Sequence, residues 1–120
     1  CAGLIILSSH SLDSVKSLEL MDTTVVRNAF GRQVDSFEVP LDVKGFNSKY
    51  NGIFIRAPAI INVGKDVDVL AKVNNYIVAA QQGNKLALAF HPELTDDLRF
   101  HSYFINMIKN SRTLSSLDKT

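Results

Sequence analysis

The sequence predicts an α/β fold, and three observations carry that reading. Short runs such as "GIFIRAP" and "KLALAF" have the length and apolar character of sheet strands. "DSFEVPLDV" alternates Phe37, Val39, Leu41 and Val43 with polar or turn residues, the period of a half-buried strand. From Thr95 the period becomes helical, with Leu98, His101, Phe104, Ile105 and Ile108 on one face.

Taken in order, residues 2–10 read as a short helix with Leu4, Ile5 and Leu7 as its apolar contacts, and "SLDSVKS" as a polar connection. A strand is expected at about residues 21–28, broken by "NAFGRQ" at Gly31. Pro40 cannot donate to a ladder, so the strand containing it is an edge or carries a bulge. "GIFIRAP" is apolar on both faces until Arg56, as in a strand buried inside a sheet, which puts Arg56 near that strand's end. "VDVLAKV", "YIVAA" and "KLALAF" are further strands, the last two joined through "QQGN", whose Gly83 and Asn84 suit a hairpin. Thr95 is the expected N-cap of the final helix, with Asp96 and Asp97 complementing its positive start and Lys109 its negative end. Residues 1–110 then form part of a single domain, and residues 111–120 a polar, flexible tail.

At 120 residues, 46% hydrophobic and 21% charged, the chain has the composition of one globular domain. Its apolar runs fall far short of the roughly 20 residues that cross a bilayer. Thirteen basic and twelve acidic residues leave a charge of +1 with no basic block, which speaks against nucleic acid or membrane surfaces as partners. The single cysteine, Cys1, cannot form an internal disulfide, which fits a reducing compartment and a cytoplasmic location. A start at cysteine rather than methionine leads us to expect that upstream sequence has been lost.

A cysteine hydrolase needs a thiolate, a histidine that generates it and shuttles protons, and a third group that fixes the histidine's tautomer. Of His10, His91 and His101, only His91 lies just beyond a predicted buried strand, where open α/β sheets place their sites. Pro92 biases it towards an extended backbone, and Glu93, two residues on, projects to the same side and can accept its N–H. Cys1 precedes a predicted helix, whose free N–H groups favour thiolate. Spacing alone leaves bland readings open: Cys1 as a small buried hydrophobe, His91 as a structural strand-end residue, Glu93 as a solvated loop acid, Arg27 and Arg56 as surface cations.

The stretches "CAGLIIL", "VVRNAFGRQVDSFE", "GIFIRAP", "IVAAQQGNKLALAFHPELTDD" and "RFHSYF" resemble, in order and over nearly the whole chain, the glutaminase subunits of pyridoxal 5'-phosphate synthases, within the class I, triad-type glutamine amidotransferases. The resemblance implies a three-layer fold with a mostly parallel central sheet flanked by helices, and a small antiparallel element near residues 76–90, the chain being its C-terminal portion. It also implies hydrolysis of L-glutamine to glutamate and ammonia, without metal or organic cofactor, the ammonia passing to a synthase subunit that builds pyridoxal 5'-phosphate. By the same resemblance Cys1 is the nucleophile, His91 the general base and Glu93 the residue orienting it, while Arg27, Ile55 and Arg56 bind glutamine. The Ala2 backbone N–H, next after the nucleophile, is the candidate oxyanion donor. A strand and glycine ahead of the cysteine, and an earlier Gly-Gly-Glu-Ser-type loop, belong to the family pattern and do not occur in these residues, so the piece alone is expected to be inactive. Two other classes remain open: an N-terminal-nucleophile hydrolase using the α-amino group of Cys1 as base, and a non-catalytic relative that serves as a partner-binding subunit.

Overall fold

Short strands make up much of the described chain, and two-residue turns set the pairing of the last three. The computed structural model describes residues 8–11, 21–27, 29–30 and 36–118, with the backbone alone for 8–11, 22 and 111–118. Its strands are β1 (Ser8–Ser11), β2 (Met21–Val26), β3 (Ser36–Leu41), β4 (Tyr50–Ile55), β5 (Ala59–Val63), β6 (Asp68–Val73), β7 (Tyr76–Gln82) and β8 (Lys85–Leu88). A 3-10 turn at Pro92–Leu94 and a helix α1 at Arg99–Asp118 follow.

Six strands form one sheet in the order β1-β2-β5-β7-β6, with β8 also on β7, while β3 and β4 form a separate two-stranded ribbon. Only β1 and β2 run parallel among the described strands; every other pair is antiparallel. This corrects the expectation of a mostly parallel sheet. Parallel neighbours need a long crossover, and the links are too short: Asn74 and Asn75 join β6 to β7, and Gly83 and Asn84 join β7 to β8. Gly83 has φ 60°, the left-handed value that a tight hairpin demands at its first loop position. One α-helix is present among the described residues. The α/β class therefore stands, while a helix-covered parallel sheet does not describe them.

Other expectations shift as well. Residues 8–10 are strand, not the end of a helix, so His10 lies in β1. Strand β4 is not buried on both faces: Tyr50, Gly52 and Phe54 point inward onto the core, while Asn51 and Ile55 on the opposite face are exposed, Ile55 by 40%. Strand β5, between Pro58 and Gly64, was not anticipated; its partners β2 and β7 are remote or separated by turns, so no local pattern announces it. The face of α1 that packs is Phe100, Tyr103 and Met107, whereas Leu98, Phe104 and Ile105 of the expected face are exposed. α1 continues to Asp118, so Lys109 is mid-helix rather than at the end.

The core is aromatic between the ribbon and α1. Phe37 stacks on Phe54 with centroids 4.7 Å apart, Phe54 meets Phe90 at 5.6 Å, and Phe90 meets Phe100 at 5.2 Å. Gly52 permits this closeness: a Cβ there would lie 2.8 Å from Leu41 Cδ1 and 2.9 Å from Phe54 Cε1, both on fully buried side chains. The Lys44 N–H donates to the Leu70 carbonyl at 2.9 Å, tying the ribbon's connection to β6.

Candidate active site

Three backbone junctions gather the chain around the end of β4. The Ala29 N–H donates to the Ala57 carbonyl at 3.3 Å, so the turn after β2, which carries Arg27, lies against the turn after β4, which carries Arg56. Register supports the same closeness, since Val26 at the end of β2 pairs with Ala59 at the start of β5. The His91 N–H donates to the Ile53 carbonyl at 2.8 Å, bringing the segment after β8 to the same strand.

His91 has an extended backbone, φ −107° and ψ 92°, as a residue before proline prefers. The 3-10 turn that follows carries Glu93 back towards it, and Nδ1 of His91 lies 2.8 Å from Oε1 of Glu93. With its proton on Nδ1 the imidazole donates to the carboxylate, which leaves Nε2 as the ring nitrogen able to accept a proton. His91 is half-buried and Glu93 more than half exposed, so solvent weakens the carboxylate's charge while the hydrogen bond fixes the ring.

Arg56 sits immediately after β4 with φ 43°, left-handed backbone that a non-glycine residue occupies at a cost of about 1–3 kcal/mol. Such strain is found where neighbouring structure holds a side chain in a set direction. Arg27, Ile55 and Arg56 are all exposed, on the rim formed by these turns. Cys1 and Ala2 lie outside the described residues.

Sequence reasoning passed over Arg99. Its guanidinium donates from Nε to Asp97 Oδ1 at 3.0 Å, from Nη2 to Asp97 Oδ2 at 2.7 Å and to the Lys49 carbonyl at 2.9 Å, and from Nη1 to the Ser48 carbonyl at 2.9 Å and hydroxyl at 3.1 Å. It lies over the rings of Phe46, 5.0 Å away, and Tyr50, 5.7 Å away. The Arg99 guanidinium holds the Asp97 carboxyl below the usual carboxylate range, against a smaller opposing effect of burial. Asp97, expected only as a charge near the helix start, also accepts the Arg99 backbone N–H at 3.1 Å. Thr95, expected as the N-cap of α1, instead accepts the Asp97 N–H on its hydroxyl at 3.3 Å and ends the 3-10 turn. An arginine two residues after an aspartate was the available signal, but its remaining acceptors, Ser48 and Lys49, are about fifty positions away.

The family described as the SNO glutamine amidotransferase family matches residues 1–110. The "Pyridoxal 5'-phosphate synthase subunit PdxT" of Methanocella arvoryzae is 58% identical over 113 residues, covering 90% of this chain and 57% of its own. The protein of the same name from Geobacillus thermodenitrificans is 52% identical over 118 residues, covering 98% of this chain and 60% of its own. A solved structure described as "Crystal structure of glutamine amidotransferase" superposes with a TM-score of 0.82 at 44% identity, over 89% of this chain and 57% of that one. The chain thus spans less than two thirds of the length of each.

Proposed function

Because the chain belongs to the SNO glutamine amidotransferase family, we propose that it carries the histidine and carboxylate of a glutaminase that releases ammonia from L-glutamine for pyridoxal 5'-phosphate synthesis. The observation that carries this reading is the 2.8 Å contact between His91 Nδ1 and Glu93 Oε1, on a segment tied to β4 at Ile53. The bond to Ile53 fixes the His91 backbone and the carboxylate fixes the tautomer, which leaves the other ring nitrogen to take the proton, as the base half of a cysteine-hydrolase triad would require.

In the proposed reaction the Cys1 thiolate adds to the carboxamide carbon of glutamine, and the oxyanion is stabilised by the Ala2 N–H. The C–N bond breaks as the His91 imidazolium protonates the leaving nitrogen, giving ammonia and a thioester. His91 then takes a proton from water, which attacks the thioester; the C–S bond breaks, glutamate leaves and the cysteine is restored. Glu93 stabilises the imidazolium in both halves. Arg27 and Arg56 hold the α-carboxylate of glutamine, for which a guanidinium fork is well shaped, and Ile55 packs against its aliphatic stem. None of these steps requires a metal or organic cofactor. The ammonia passes to a synthase subunit, as the name shared by the relatives suggests, and the reaction runs in the cytosol, where a single cysteine stays reduced.

The test is ammonia release from glutamine by the protein as its gene encodes it. His91→Asn should lower kcat by several orders of magnitude with circular dichroism unchanged, because the members of a triad act as one unit. Near-normal turnover in that variant would sink the assignment.

A further inference from the structure

Within residues 91–99 the side-chain contacts are local, His91 with Glu93, Thr95 with the Asp97 N–H, and Asp97 with Arg99. The segment's regular structure is one 3-10 turn, held by long hydrogen bonds from Leu94 N–H to the His91 carbonyl at 3.2 Å and from Thr95 N–H to the Pro92 carbonyl at 3.4 Å. Phe90 and Phe100, both buried in the core, flank the segment, and between them it is tied at both ends to β4 or to the residues that lead into it. At one end the His91 N–H donates to Ile53, inside β4. At the other, the Arg99 guanidinium donates to the carbonyls of Ser48 and Lys49, the two residues that lead into β4 at Tyr50. All five guanidinium N–H groups find acceptors on Asp97, Ser48 and Lys49, and the plane lies over Phe46 and Tyr50.

We propose that Arg99 is a positioning residue for the His91 and Glu93 pair: it clamps the far end of the segment onto the start of β4, so that the 3-10 turn carrying Glu93 cannot swing away from the imidazole. This rests on the glutaminase reading for its activity consequence, but the placement of His91 can be read separately. Lysine is a poor substitute. Its three donors on one nitrogen cannot span Asp97 and two successive carbonyls, and it lacks the plane that stacks on the rings.

The experiment compares Arg99→Ala and Arg99→Lys in the intact protein, measuring melting temperature, kcat and KM for glutamine, and the low-field proton resonance of His91 Nδ1, identified by its loss in His91→Asn. In folded Arg99→Ala, kcat should fall about 10- to 100-fold with KM within about twofold, since a misplacement near 1 Å costs about that much. The Nδ1 resonance should broaden or vanish, and Arg99→Lys should recover part of both. A folded Arg99→Ala that keeps kcat and the resonance overturns the proposal. If Arg99→Ala does not fold, Arg99→Lys decides: a lower melting temperature with wild-type kcat and resonance marks a merely structural role and overturns it equally. A wild-type protein that shows the resonance, lost in Arg99→Ala, yet does not hydrolyse glutamine removes the functional reading and leaves the positioning role standing.

Discussion

His91 and Glu93 face each other across Pro92, with Nδ1 and Oε1 2.8 Å apart, although Glu93 is largely open to solvent. An exposed carboxylate contributes less charge stabilisation than a buried one, so its main effect is on the tautomer and direction of the ring. Glu93→Gln should therefore lower kcat by about 100-fold or more, short of the roughly 10,000-fold that loss of a buried orienting acid costs, with KM nearly unchanged. In a His91→Asn background the same change should do almost nothing, because the two act as a unit. Steady-state ammonia assays on the double-mutant cycle check this; additive effects would mean that Glu93 acts apart from His91.

Arg56 combines a strained backbone, φ 43°, with a side chain that the proposed reaction puts on the substrate. Glycine at 56 relieves the strain and alanine does not, so Arg56→Gly should be more stable than Arg56→Ala by about 1 kcal/mol, after the greater unfolded-state freedom of glycine is allowed for. Both lose the guanidinium and should raise the KM for glutamine about tenfold or more while changing kcat less; Arg27→Ala should do the same. Equal stability of the two Arg56 variants contradicts the backbone assignment, and an unchanged KM contradicts the binding role. The two readouts are independent.

How far the sequence disclosed this arrangement depends on the range of the interaction involved. Strands β2, β6, β7 and β8 and the hairpin at Gly83 were legible because alternation and turn chemistry act within a few residues. The proximity of His91 and Glu93 was legible for the same reason, two residues and one proline deciding it. Strand direction was not, because it depends on which remote strand is the neighbour: β5 pairs with β2 across more than thirty positions. The inward face of α1 was misjudged because two apolar stripes compete on that helix, and Phe46, Tyr50 and Phe90 select Phe100 over Leu98. The part played by Arg99 was invisible until the loop before β4 was brought beside it.

The ion pair of Asp97 with Arg99 makes stability depend on acid in a defined direction. The guanidinium lowers the carboxyl's folded-state pKa below its unfolded value of about 3.9. A group depressed in this way contributes fully above the unfolded value, and its contribution is lost as pH falls through the folded value. Asp97→Asn should lower the melting temperature by a few degrees at pH 6, and the gap to the wild type should close progressively below about pH 4. Melting curves from pH 6 to pH 2 test this; a gap that stays constant in acid would show that the charge is not what Asp97 contributes.

Tyr50 is fully buried, and its hydroxyl has no hydrogen-bond partner among the described residues. Burial also holds the phenol pKa above its ordinary value, in keeping with a group removed from water. A buried hydroxyl without a partner costs about 1–3 kcal/mol in lost hydration. The ring contributes instead, meeting Phe100 edge-on at 4.8 Å, Phe90 at 5.7 Å and the Arg99 guanidinium at 5.7 Å. Tyr50→Phe keeps each of these contacts and removes the oxygen, so it should raise stability, by about 1 kcal/mol once the small space left behind is counted. Tyr50→Leu loses the aromatic contacts and should destabilise by about 2 kcal/mol or more. Since the hydroxyl makes no hydrogen bond to His91, Glu93 or Arg99 among the described residues, kcat of Tyr50→Phe should equal that of the wild type. Denaturant unfolding of the three proteins decides: a Tyr50→Phe variant that is less stable than the wild type by 1 kcal/mol or more, a deficit of about the size of one net hydrogen bond, would mean that the hydroxyl is satisfied in solution.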